Sequence, residues 1–165
     1  VPELQRLRAE HAPAVLTFEA TNRDYFASFI SDRGDSFFER FGGEFDAQMA
    51  EQEAGTCVFH VLVDEDGSVL GLCNLRNLHD GTADLGYRVA QRAAGHGVAT
   101  AMVQAVCGLA AAQYGLHTLK AETSLENVAS QKVLTKNGFV LVGPAQPGGR
   151  PGTLFWRDLT GSETR

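Results

Sequence analysis

Apolar positions in residues 97–114 recur at helical spacing. Val98, Met102, Ala105, Val106 and Leu109 form one stripe, and Gly115 follows as a stop. The same periodicity predicts helices over residues 12–21 and 22–30. The first carries Pro13 in its opening turn and Val15, Leu16 and Phe18 on one face. The second carries the stripe Tyr25, Phe26, Phe29 and Ile30. Residues 37–54 read as a helix interrupted at Gly42 and Gly43, with Gly55 as its cap, and a polar turn over 31–36 precedes it. A further helix over 127–137 opens on Asn127 and closes at Gly138. Between the helices the pattern shortens to runs rich in β-branched and aromatic residues. Residues 56–63, 69–78 and 82–89 are predicted strands, joined by turns at 64–67 and 79–81, and so form an antiparallel meander. Residues 4–8 read as a short edge strand and 118–124 as a strand after the long helix. Residues 139–142 and 153–159 read as a closing hairpin. The connection 143–152 holds three prolines and four glycines and reads as an irregular loop, and residues 161–165 as a frayed tail. There are no internal repeats. This order predicts an α+β fold: a mixed, mostly antiparallel sheet of six to seven strands with helices on both faces, in a single domain over residues 1–165.

Composition narrows the partners. The chain has 165 residues, 44% of them hydrophobic, and a net charge of −6, the range of an ordinary soluble globular domain. No basic patch is visible, which argues against nucleic acid, and an acidic surface suits a cationic amine. Cys57, Cys73 and Cys107 sit in apolar runs without a CxxC pair and read as buried, reduced thiols of a cytoplasmic protein. The five histidines lack metal-ligand spacing, so no metal is expected. Neither a signal-peptide pattern nor an apolar run near the ~18 residues that a membrane span needs is visible, so no membrane association is expected. The first residue is Val1 rather than Met, so removal of an N-terminal piece is one expectation. A monomer or homodimer is expected.

The chemistry concentrates at residues 85–99, predicted as a strand, a tight loop and the start of the long helix. The loop reads Arg92-x-x-Gly95-x-Gly97. Two glycines let backbone N–H groups turn toward an anion, the helix start adds free donors and partial positive charge, and Arg92 adds a planar cation suited to phosphate. The loop has neither the Gly-Lys-Ser/Thr of a Walker-type site nor the three-glycine dinucleotide fingerprint. It resembles the coenzyme A loop of the GNAT superfamily of N-acetyltransferases. A second block, Asn127-x-x-Ser130 through Lys136-Asn137-Gly138-Phe139, resembles the downstream signature of that superfamily. The resemblance is best over residues 69–139 and is nearest to the RimJ/RimL-like branch, which the pair Asn22-Arg23 also resembles.

That resemblance implies acetyl-CoA as cofactor and direct acetyl transfer to a primary amine, either a protein N-terminus or a small molecule. It implies a sheet whose fourth and fifth strands splay apart for the pantetheine arm. The expected coenzyme contacts are Tyr87, Arg88 and Val89 on the strand, Arg92, Gly95, His96, Gly97, Val98 and Ala99 at the cradle, and Asn127 and Ser130 beyond it. His96 reads as a solvent-facing spacer. Gly86 allows a bulge or close approach. The wall of the acceptor groove falls on Asn22, Arg23 and Phe26. Amine acylation calls for a base and an acid. Glu122, five residues before Asn127, is the first candidate base and Asp84 the second; an amine already deprotonated on arrival is the third possibility. Many superfamily members carry a Tyr acid seven residues after the Asn, but Leu134 stands there. Ser130 then remains to hydrogen-bond the departing sulfur, unless its hydroxyl only caps the helix. The missing Tyr keeps open a non-catalytic acyl-CoA-binding module, and a generic phosphate-binding domain is a third reading. Acceptor specificity falls to loops 22–40 and 143–152.

Overall fold

The computed structural model describes residues 1–160; the predicted tail at 161–165 lies outside them. Among the described residues, seven strands form one sheet in the order β1-β2-β3-β4-β5-β7-β6. They are β1 (Glu3–Arg6), β2 (Val58–Val63), β3 (Val69–His79), β4 (Thr82–Val89), β5 (Thr118–Ser124), β6 (Val140–Ala145) and β7 (Gly152–Asp158). Every neighbouring pair is antiparallel except β4 and β5. Two helical layers cover the faces. On one lie α1 (Ala12–Thr21), α2 (Arg23–Ala27), α3 (Asp35–Glu39) and α4 (Phe41–Glu53). On the other lie α5 (Val98–Ala112) and α6 (Val128–Lys136).

Strand β2 shows why the sheet takes two layers. Its residues alternate between faces: Phe59 and Val61 pack with Phe18, Phe26 and Phe45 from the first layer, while Val58 and Leu62 pack in the core with Val103 and Val106 of α5. Both faces are covered, so the strand is a continuous apolar run rather than an alternating one. His60 is its exception. It is buried against the Tyr114 hydroxyl at 2.7 Å, and burial pushes its pKa down to about 4, so it sits neutral in the core.

Several boundaries differ from the sequence reading. The chain breaks at Arg40, between α3 and α4, and Gly42 and Gly43 lie inside the first turn of α4 instead of splitting it. The loop expected at 143–152 contributes residues 143–145 to β6, because edge pairing with β7 accommodates Pro144. No bulge occurs at Gly86, which pairs regularly with Asn74; the irregularity in that pair of strands lies between Arg76 and His79.

The feature that positions the site is the short parallel contact. Strands β4 and β5 pair only at Thr82 with Thr118, Ala83 with Leu119 and Asp84 with Lys120. Beyond Asp84 each strand continues without the other, and β5 is held from its far side by β7. The result is a wedge-shaped opening whose walls are β4 residues 85–89 and β5 residues 121–124.

Candidate active site

Two cavities meet in that opening. One, of about 550 Å³, runs along the start of α5 and the exposed side of α6. The other, of about 400 Å³, lies over β4 and β5 beneath the segments around Arg33 and Arg150. Phe29, Ile30, Tyr87, Arg88, Asn127 and Ser130 line both and so mark the junction. A third cavity, of about 650 Å³, lies between α1 and the β2–β3 turn, away from Tyr87, Glu122 and Ser130.

The first cavity carries the anion cradle. Gly95 and Gly97 have φ of 78° and 75°, backbone angles that L side chains rarely adopt, and the space where a Cβ would stand is open at both. Helix α5 starts without a side-chain cap, and a bond from Ala101 N–H to the Gly97 carbonyl lies in its first turn. The N–H groups of Val98, Ala99 and Thr100 therefore have no helical acceptor and remain for a ligand. Lys132 and Lys136, one turn apart on α6, line the same cavity. An uncapped helix start, an open glycine cradle and two lysines fit the pyrophosphate of coenzyme A.

Arg92 is placed elsewhere than expected. It lies in a 3-10 turn, Gln91–Ala93, that turns Ala93 inward to line the cradle cavity and Arg92 outward. The Arg92 guanidinium reaches Ser68 Oγ at 2.7 Å and Asp64 Oδ2 at 3.5 Å and lines the third cavity. It ties the β2–β3 turn to the cradle loop. Arg92→Ala is expected to leave the Kd for coenzyme A within about threefold and to lower the Tm slightly, as loss of an exposed contact does. Calorimetric titration paired with thermal unfolding checks this, and a tenfold weakening would return Arg92 to the coenzyme site. His96 is exposed and lines neither cavity of the cleft.

At the junction, the Tyr87 and Ser130 hydroxyls stand 2.8 Å apart, and Tyr87 also donates to the Ser130 carbonyl at 3.3 Å. Burial pushes Tyr87 up to about 12, so it keeps its proton at neutral pH. Asn127 is the cap of α6: its side-chain oxygen accepts the Ser130 N–H at 3.2 Å. The Ser130 hydroxyl is thus free of capping duty. Leu134, at the position where the resemblance implies a Tyr, is 1% exposed and touches the second cavity; Tyr87 brings a phenol to the junction from β4.

Glu122 is exposed on the wall of the second cavity and makes no ion pair among the described residues. The lysine that could have paired with it, Lys120, faces Asp84 at 3.7 Å. Asp84 also accepts from Asn77 at 2.8 Å and lines neither cavity of the cleft, because it sits where β4 and β5 are still paired. The geometry thus separates the two candidate carboxylates.

Residues 3–140 match the family described as the acetyltransferase (GNAT) domain. The chain belongs to that family. It is 27% identical over 141 residues to the probable N-acetyltransferase YjcK of Bacillus subtilis (strain 168), covering 81% of this chain and 77% of that one. Its fold is similar to that of the ribosomal-protein-S5-alanine acetyltransferase from Vibrio fischeri, with TM-score 0.87, 19% identity and 96% of each chain covered. It is similar also to Mycobacterium smegmatis RimJ in complex with CoA-disulfide, with TM-score 0.85, 22% identity, and 96% and 82% covered. A Vibrio cholerae spermidine N-acetyltransferase, in complex with CoA and spermine, aligns at TM-score 0.80 with 16% identity and 96% of each chain covered.

In this GNAT acetyltransferase none of the three residues expected at the acceptor groove lines either cavity of the cleft. Asn22 is buried; its side-chain oxygen accepts the Gln91 N–H at 3.0 Å and its amide donates to the Phe18 carbonyl at 2.9 Å, which fixes the approach to the cradle. Arg23 is held by Asp32 and Asp35, both at 2.8 Å, and lines neither cavity of the cleft. Phe26 is 2% exposed, and its ring lies under the Arg88 guanidinium at 4.7 Å. Arg33 and Arg150, in the two loops expected to carry specificity, also line the cleft, as do Thr100, Lys132 and Lys136, none of which is among the expected coenzyme contacts. The lysine spacing was a usable signal; the placement of the arginines was not, since it depends on how two distant loops close over the sheet. A covalent cysteine route is disfavoured, since burial raises the Cys73 and Cys107 thiols and Cys57 is buried too. No helix among the described residues is long and apolar enough to cross a membrane.

Proposed function

We propose that this acetyltransferase binds acetyl-CoA in the cradle cavity and passes the acetyl group directly to a primary amine in the neighbouring cavity, within a ternary complex. The observation that carries this reading is the junction: two cavities share one opening, with a hydroxyl pair between them and an unpaired carboxylate, Glu122, on the far wall. The coenzyme supplies an activated thioester. The N–H groups of residues 98–100 and Lys132 and Lys136 hold its phosphates, and Asn127 has an amide N–H₂ free for the pantetheine arm. Residues 85–89 of β4, unpaired toward β5, offer backbone donors to the thioester oxygen. Glu122 takes the proton from the attacking amine. The Ser130 hydroxyl hydrogen-bonds the departing sulfur, and the Tyr87 hydroxyl, its single proton turned from the Ser130 carbonyl to Ser130 Oγ, donates to that oxygen in turn.

A thiol-release assay over a panel of peptides, amino acids and polyamines tests this. Acetyl-CoA is expected to raise the Tm and to release free thiol only when an amine acceptor is present. A rise in Tm with no thiol release from any amine would favour the acyl-CoA-binding module, and the absence of any rise would favour a different phosphate ligand.

A further inference from the structure

The charge lining the acceptor cavity is unusual for a site that receives a cationic amine. Arg33, Arg76, Arg88 and Arg150 line it, against one carboxylate, Glu122. Two of the arginines share a single partner. Glu19 is 2% exposed and pairs with Arg33 at 2.8 Å and with Arg88 at 3.1 Å. Both guanidiniums are fixed by aromatic rings, Arg33 over Phe37 at 4.9 Å and Arg88 over Phe26 at 4.7 Å. Burial and the Arg33 charge push Arg88 down to about 10, still cationic at neutral pH. Arg150 spends one N–H on the Phe29 carbonyl at 3.1 Å, and Arg76 reaches Glu51 only at 3.8 Å. Counting Glu19 and Glu51 behind the wall still leaves more guanidinium groups than carboxylates.

Hydrogen bonding points the same way. Arg33 Nε and Ser124 Oγ are buried without a partner, and both residues line this cavity. Buried donors left unpaired are costly, so both residues keep unspent hydrogen-bonding capacity at this wall, which a ligand oxygen meets only if the side chains turn toward it. An oxyanion suits rigid guanidinium groups better than any neutral group does. A polyamine, by contrast, would bring further positive charge against this wall.

We propose that the acceptor is an amine that carries its own carboxylate, gripped by Arg33, Arg88 and Arg150 while Glu122 faces the nitrogen. This rests on the transferase reading above. The carboxylate has two sources, a free amino acid or an acidic residue next to a peptide N-terminus.

Acceptors in matched pairs test it: β-alanine against β-alaninamide, and the amidated peptide Ala-Asp-Ala against Ala-Asn-Ala, with spermidine alongside. The acid member of one pair is expected to exceed its amide at least tenfold in kcat/KM, chiefly through KM, and the pair that responds identifies the source. Arg150→Gln, which leaves both ion pairs of Glu19 intact, is expected to erase most of that preference; Arg33→Gln should do the same. Equal use of acid and amide, or a preference for spermidine, would overturn the proposal while leaving the transferase intact. Binding gives an independent readout. With coenzyme A present, the N-acetylated acids should bind more tightly than the N-acetylated amides, and equal or absent binding counts against the site. Acid-selective binding without turnover of any amine would uphold the anion site and reject the transferase reading.

Discussion

Glu122→Gln is expected to lower kcat by about 100- to 10,000-fold at neutral pH, the usual contribution of a positioned general base. The substitution keeps shape and removes only the basic oxygen. Glu122 is exposed and makes no ion pair among the described residues, so the fold and the Kd for coenzyme A should be unchanged. The defect should shrink as pH rises, because a growing fraction of the acceptor arrives already deprotonated. Asp84→Asn is the control. Asp84 lies beside Lys120 and Asn77, outside the cleft, so its loss should trim stability slightly and leave the pH–rate profile intact. Full pH profiles of kcat and kcat/KM for both variants decide the matter. If Asp84→Asn shows the pH-dependent loss and Glu122→Gln does not, the base is Asp84. If neither does, catalysis rests on positioning the two reactants and the carboxylate hypothesis is abandoned.

The parts of this site that the sequence made legible are those set by local backbone chemistry. Gly95 and Gly97 needed only the rule that a loop with positive φ wants glycine, and both adopt it. Asn127 announced a helix start and caps one. The hydrophobic periods placed every strand of the meander and the long helix α5 to within a few residues, because each is fixed by burial on a face that the pattern itself displays. What was not legible depends on direction. Arg92 has the right residue type at the right spacing, yet the 3-10 turn that contains it sends the guanidinium to Ser68 and Asp64. Asn22, Arg23 and Phe26 are expected at a substrate wall through the superfamily resemblance alone. Tertiary contacts make them a loop anchor, an ion-pair hub and a core ring, respectively.

Charge shows the same limit at a larger scale. The net charge of −6 argues for a cationic acceptor, since an acidic surface draws cations. The cavity wall carries the opposite balance, with four arginines and one carboxylate. A sum over the chain averages surface that the ligand never meets. Within a cleft, a substrate responds chiefly to groups inside about one Debye length, ~8 Å at physiological salt. Arg33 and Arg150 lie more than a hundred residues apart, and only folding brings them to one wall.

Ser130→Ala is expected to slow turnover roughly ten- to a hundredfold, the worth of one hydrogen bond to a charged atom, about 1.5–3 kcal/mol. The Ser130 hydroxyl does not cap α6, since Asn127 does, so the helix and the affinity for coenzyme A should survive. Tyr87→Phe removes the donor behind Ser130 and should cost less than Ser130→Ala, because the serine hydroxyl can still reach the sulfur but is no longer held or polarised. The decisive result is the double variant. If the two hydroxyls act as one unit, Ser130→Ala with Tyr87→Phe should be barely slower than Ser130→Ala alone, a strongly non-additive cycle. Additive losses in kcat would mean that each contacts the reacting groups separately. Losses confined to coenzyme affinity would reduce the pair to a binding contact. The phenol expected seven residues after the Asn, where this chain has Leu134, would then have no functional counterpart on β4, and expulsion of the thiolate would depend on backbone donors alone.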